Sequence, residues 1–140
     1  MNTTNNVDHH YPLTGGCQCM NIRYHIVARP IVLYACHCKD CQKQSSSGFG
    51  LSLWVRRQDF ILTRSQPGFW STTADSGNSK LCALCDQCGC RIYHTDDHEA
   101  DILSVKGGTL DNIEQFSPVG HIWLRSALPW VMSLIDRDRQ

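Results

Sequence analysis

The chain has 140 residues, enough for one domain with a real core, and its 13 basic and 13 acidic residues cancel. No Lys/Arg stripe offers an electrostatic footprint for nucleic acid, and no apolar run approaches the roughly 18 residues of a membrane span. Nine cysteines are an odd count, bunched as C-x-C and C-x-x-C, which favours metal ligation over a disulfide framework.

The opening stretch, MNTTNNVDHHYPL, lacks a cationic leader and an apolar signal segment. The expectation is a soluble, cytoplasmic protein whose residues 1–12 are disordered, with His9 and His10 a chance pair. Residues 13–140 then form a single domain.

GGCQC, Gly15 to Cys19, reads as a tight turn allowed by its glycines. In MNIRYHIV that follows, Met20, Ile22, Tyr24 and Ile26 alternate with polar neighbours, the period of a half-buried strand, which Pro30 ends. ACHCKDCQKQ comes next, with Cys36, Cys38 and Cys41 inside six residues. It is expected to run into a short helical turn and a Ser/Gly loop. FGLSLWVRR restores alternation, placing Phe49, Leu51, Leu53 and Val55 on one side, and DFILT is a further strand. GFWSTTADSGNSK holds an aromatic strand and a polar hairpin turn at Ser76–Asn78.

LCALCDQCGCRIYH carries the second cysteine cluster. DILSVKGG reads as strand then turn, and HIWLRSALPWVMSLI as an apolar strand, a proline break and a short closing element. No segment sustains helical periodicity beyond about ten residues. The fold class expected is mainly β, in short strands.

Cys85-x-x-Cys88-Gly89 has the shape of a zinc knuckle: two intervening residues bring both sulfurs to one ion, and the glycine lets backbone N–H groups point at them. One knuckle gives two ligands, and Cys17-x-Cys19 is the natural source of two more. Spacing alone also permits Cys82 with Cys85, or Cys88 with Cys90. Four cysteines make a closed, structural site. The triad Cys36, Cys38 and Cys41 then stands alone, and three protein ligands with an open position is the arrangement of a catalytic zinc. Cys82, Cys90, His37 and His94 are the candidates to close it, His37 the weakest because its ring points away from the flanking sulfurs in an extended chain.

The order of motifs resembles the glutathione-dependent formaldehyde-activating enzyme family, also called the CENP-V/GFA domain. The matching blocks are GGCQC with IRYHI, CHCKDCQK, CDQCGCRIY, GTLD, and HIW with PW, from about Gly15 to Trp130. The resemblance implies an Mss4-like fold of short antiparallel sheets with two Zn²⁺: a structural ion on Cys17, Cys19, Cys85 and Cys88, and a catalytic ion on Cys36, Cys38 and Cys41. It implies a carbon–sulfur lyase resembling S-(hydroxymethyl)glutathione synthase, forming or cleaving an adduct of glutathione, or another small thiol, with an aldehyde. Two departures stand out. Cys90 occupies a position where family members usually carry a small hydroxyl residue, and Cys82 is an extra thiol.

Two other classes compete with the lyase: a zinc-stabilised protein-binding module with both ions structural, and a thiol redox protein using Cys82 or Cys90. His94 to Glu99 is expected to be a solvated acidic loop, and His121 a core or hydrogen-bonding histidine. The four tryptophans are expected in the core or an interface. Arg23, Lys39, Lys43, Arg56 and Arg57 could meet the carboxylates of glutathione, with ordinary surface charge the stronger expectation. The apolar C-terminal segment could also cover a neighbour's core, giving a homodimer.

Overall fold

A computed structural model describes residues 9–74 and 76–138. Among them the fold is mainly β, as expected, with ten strands in two sheets and two short helices. A three-stranded antiparallel sheet joins β1 (Leu13–Gly16), β2 (Arg23–Ile26) and β5 (Phe60–Arg64) in the order β1-β2-β5. The larger sheet contains β3 (Val32–Cys36), β4 (Gly50–Arg56), β6 (Gly68–Thr73), β7 (Ser79–Leu84), β8 (Arg91–Thr95), β9 (Ile102–Lys106) and β10 (Gly120–Ile122). Its order is β10-β3-β4-β9-β8-β7-β6, antiparallel throughout except that β10 runs parallel to β3. Helix α1 (Lys39–Ser45) follows β3, and α2 (Pro129–Asp138) closes the chain. No helix among the described residues is long and apolar enough to cross a membrane.

The core lies between the sheets. Ile22, just before β2, and Tyr24 and Ile26 of β2 meet Leu33, Leu53, Val55, Ile92, Leu103 and Val105 from the large sheet, all essentially inaccessible to solvent. Period-two alternation dictates the consequence for the site. Because Leu53 and Val55 of β4 and Leu103 and Val105 of β9 point into the core, Ser52, Trp54, Ile102 and Ser104 point to the opposite face, where they line a cavity.

Three local expectations need correction. Met20 does not share the buried face of Ile22, Tyr24 and Ile26: it turns the chain at a φ of 68° and is half exposed. Gly15 and Gly16 lie within β1 rather than in a turn, and Gly15 is small because a Cβ would collide with the Tyr24 ring and the Thr109 carbonyl. None of the tryptophans belongs to the core, since Trp54, Trp70, Trp123 and Trp130 are between 36% and 56% exposed. Of the stretch expected to be disordered, residues 1–8 lie outside the described residues, and the His9 ring stacks on Phe116 with centroids 4.2 Å apart.

Candidate metal centres and the adjoining cavity

The first cysteine cluster is assembled by two turns. One links β1 to β2 and carries Cys17 and Cys19; the other links β7 to β8 and carries Cys85 and Cys88. The four sulfurs lie within 4.8 Å of one another, with Cys17–Cys19 at 3.6 Å and Cys19–Cys85 at 3.7 Å. Sulfurs around a tetrahedral zinc at about 2.3 Å stand roughly 3.8 Å apart, so the set fits such an ion. Backbone N–H groups face the sulfurs: Ile22 donates to Cys17 at 3.2 Å, and Gln87 and Cys88 donate to Cys85 at 3.3 and 3.5 Å. Gly89 takes the left-handed conformation, φ 78°, that lets the knuckle close. The N–H groups of Cys19 and Cys90 hold the Cys88 thiol down to about 6, toward the thiolate a metal needs.

The second cluster holds Cys36, the last residue of β3, Cys38, the N-cap of α1, and Cys41 in its first turn, again with sulfurs within 4.8 Å of one another. Cys38 Sγ accepts from the Cys41 N–H at 3.3 Å. Hydrogen bonding from Cys36, then Cys41, holds the Cys38 thiol down to about 2. Cys36, then Cys38, pushes Cys41 strongly up. Hydrogen bonding within the triad thus favours a thiolate at Cys38 and opposes one at Cys41, and a cation is what would let all three ionise.

Both clusters could hold metal ions, and the donor chemistry suits zinc. No fourth Cys, His, Asp or Glu among the described residues joins the triad. Cys82 is buried in β7, opposite His94 and Trp70. Cys90 packs against the core, its thiol donating to the Arg91 carbonyl at 3.7 Å. His37 Nε2 lies 2.9 Å from His121 Nδ1, the hydrogen-bonding role expected of His121, although that ring is exposed rather than in the core.

The triad opens on a cavity of about 440 Å³, within the roughly 300–1,000 Å³ of small-molecule pockets. Its floor is the outer face of the large sheet: Thr72, Lys80, His94, Ser104 and Ser52 from five neighbouring strands. Trp54 and Trp123 flank it, and Arg125, stacked over Trp123 at 5.9 Å, also lines it. Ser52 and Ser104 bond each other through their hydroxyls, and Trp54 Nε1 donates to Ser52 at 3.1 Å. Gln42 fastens the rim by donating to the His37 and Ser126 carbonyls, both at 2.9 Å.

Several of these residues escape a sequence reading. His94 is not in the acidic loop but on β8, half-buried, and only residues 96–99 form the exposed turn. The cations lining the cavity are Lys80 and Arg125. Of the five expected ones, Arg23 is paired with Asp111, Arg57 donates to the Ala100 and Asp97 carbonyls, and Lys39, Lys43 and Arg56 do not line the cavity. The signal that would find His94, Ser104, Ser52 and Lys80 is the polar alternate face of otherwise apolar strands.

A family model described as glutathione-dependent formaldehyde-activating enzyme matches residues 12–126. The crystal structure of a Rhodobacter sphaeroides protein superposes with a TM-score of 0.59, covering 78% of this chain and 99% of that one at 14% identity, a likeness of fold. A comparison with curated proteins finds no match.

Proposed function

From the chain's membership of the glutathione-dependent formaldehyde-activating enzyme family, we propose that it is a zinc-dependent carbon–sulfur lyase. It makes or breaks the adduct of a small thiol, such as glutathione, with an aldehyde. The observation that carries the reading is the contrast between clusters: four cysteines supply one tetrahedral set, whereas three cysteines with no fourth ligand among the described residues open on the cavity.

Cys17, Cys19, Cys85 and Cys88 would hold a structural Zn²⁺, and Cys36, Cys38 and Cys41 a catalytic one. When bound at the triad, Zn²⁺ supplies a coordination position and a positive charge that favour the thiolate form of a substrate thiol. The chain's own residues do the rest. Trp54 and Trp123 restrict water beside the sulfurs and present flat apolar surface to the substrate's backbone. Arg125 and Lys80 are placed to meet carboxylates of a peptide-like thiol. Lys80 already leans on Asp96 at 3.2 Å, so an incoming carboxylate competes for it, while Arg125 offers its guanidinium from the aromatic wall. A binding module with both ions structural would need a closing ligand at the triad, and Cys82, Cys90, His37 and His94 all lie outside the cluster.

The test is zinc per chain, glutathione titration and glutathione–formaldehyde turnover, compared in the parent and in Cys38→Ser. The expectation is about two zincs in the parent and about one in the variant, with thiol binding and turnover in the parent alone. A parent that binds no glutathione would contradict the proposal.

A further inference from the structure

Lys106 ends β9 beside the triad's cavity, and its Nζ lies 2.9 Å from His94 Nδ1. Burial lowers the Lys106 pKa from its ordinary value, opposed by Cys41, Cys82 and Cys36, which raise it; as the ammonium it donates and never accepts, which makes Nδ1 the acceptor and puts the ring's single proton on Nε2. That Nε2–H makes no hydrogen bond with any described residue, while His94 lines the cavity together with Cys36, Cys38 and Cys41. Burial, then the charge of Lys106, hold His94 down to about 3, so the ring is neutral. Lys80 on β7 and Arg91 on β8 act in the same direction, and only Cys38, from α1, opposes them. The result is a neutral imidazole whose Nε2–H has no partner among the described residues.

We propose that His94 donates a hydrogen bond to the oxygen of the aldehyde and of its thiol adduct, and that Lys106 is the positioning residue that fixes the tautomer. This rests on the lyase reading. As the thiolate sulfur bonds to the carbonyl carbon, the carbon–oxygen π pair moves onto oxygen. The proton lost by the thiol leaves to water, and the oxygen takes one proton from water. His94 keeps its own proton and stabilises the negative charge while it exists. In the reverse direction the same bond supports the alkoxide as carbon–sulfur cleavage begins. A preorganised donor aimed at a developing oxyanion typically contributes 10²- to 10³-fold in rate, and the nearby Lys106 charge strengthens this one.

The experiment uses zinc-loaded protein labelled with ¹⁵N-histidine, in the parent, His94→Ala, His94→Gln and Lys106→Met. In the parent, NMR should report the Nε2–H tautomer of His94, with a shift on adding the glutathione–formaldehyde adduct and none with glutathione alone. His94→Ala should lower kcat on the order of 100-fold with unchanged zinc content, and KM for the thiol should stay within about threefold. His94→Gln, which retains an N–H, should recover part of the rate, and Lys106→Met should give mixed tautomers and an intermediate rate. Loss of zinc in His94→Ala would make His94 a ligand and overturn the proposal. Unchanged turnover in that variant overturns it while leaving the lyase reading intact. A parent without turnover overturns both. Should His94→Ala fail to fold, an Nδ1–H tautomer in the parent, or a His94→Gln variant with no rate above that of the uncatalysed reaction, is the overturning result.

Discussion

Cys90 stands two residues beyond a cluster cysteine, yet its thiol turns to the Arg91 carbonyl and the core. Cys82 is buried in β7, paired across the sheet with His94 and outside both clusters. We expect Cys90→Ser and Cys82→Ser to keep the parent's zinc content, measured by elemental analysis. Cys82→Ser should also lose about 1–3 kcal/mol in denaturant unfolding, since a buried hydroxyl replaces a weakly polar thiol. Retained zinc in both would separate them from Cys38→Ser. The triad is readable in the sequence because a C-x-C-x-x-C run fixes sulfur proximity locally, whereas spacing left Cys82 and Cys90 open as partners in the other cluster, which joins two distant turns. The His94–Lys106 pair is not readable there, because it depends on the register of β8 against β9.

At the scale of elements, β4 and β9 each serve two buried surfaces. Leu53, Val55, Leu103 and Val105 fill the core, while Ser52, Trp54, Ile102 and Ser104 line the cavity. The core face follows from the apolar alternation in FGLSLWVRR, but the second face is polar and reads as solvent until the third dimension covers it. The tryptophans, expected in the core or an interface, leave the core for a related reason: Trp54 and Trp123 stand on the cavity wall. Leu103→Ala, on the core face, should cost about 2–5 kcal/mol without altering the thiol affinity of the folded protein. Trp123→Ala should do the reverse, weakening thiol binding in a calorimetric titration while leaving the unfolding midpoint nearly unchanged. Equal effects on both quantities would show that the two faces are not separable. Gly15→Ala tests β1: its Cβ meets the Tyr24 ring and the Thr109 carbonyl, so a loss of about 1–3 kcal/mol is expected.

At the scale of the molecule, the two clusters differ in what they join. The tetrad ties the β1–β2 turn to the β7–β8 turn, across the two sheets that enclose the core. The triad lies within one short stretch from β3 into α1. An ion on the tetrad therefore crosslinks distant chain, where closure restricts the unfolded state most. Cys85→Ser should lower the thermal midpoint on the order of 10 °C, and Cys38→Ser much less. The proposal that the triad keeps a place for a substrate sulfur is tested most directly by a glutathione titration of the cobalt(II)-substituted protein, followed by thiolate-to-cobalt absorption. The absorption should rise by about one thiolate's worth, saturating near one equivalent per chain, and should not rise in Cys38→Ser. A parent loaded at both clusters whose spectrum glutathione leaves unchanged would contradict the claim.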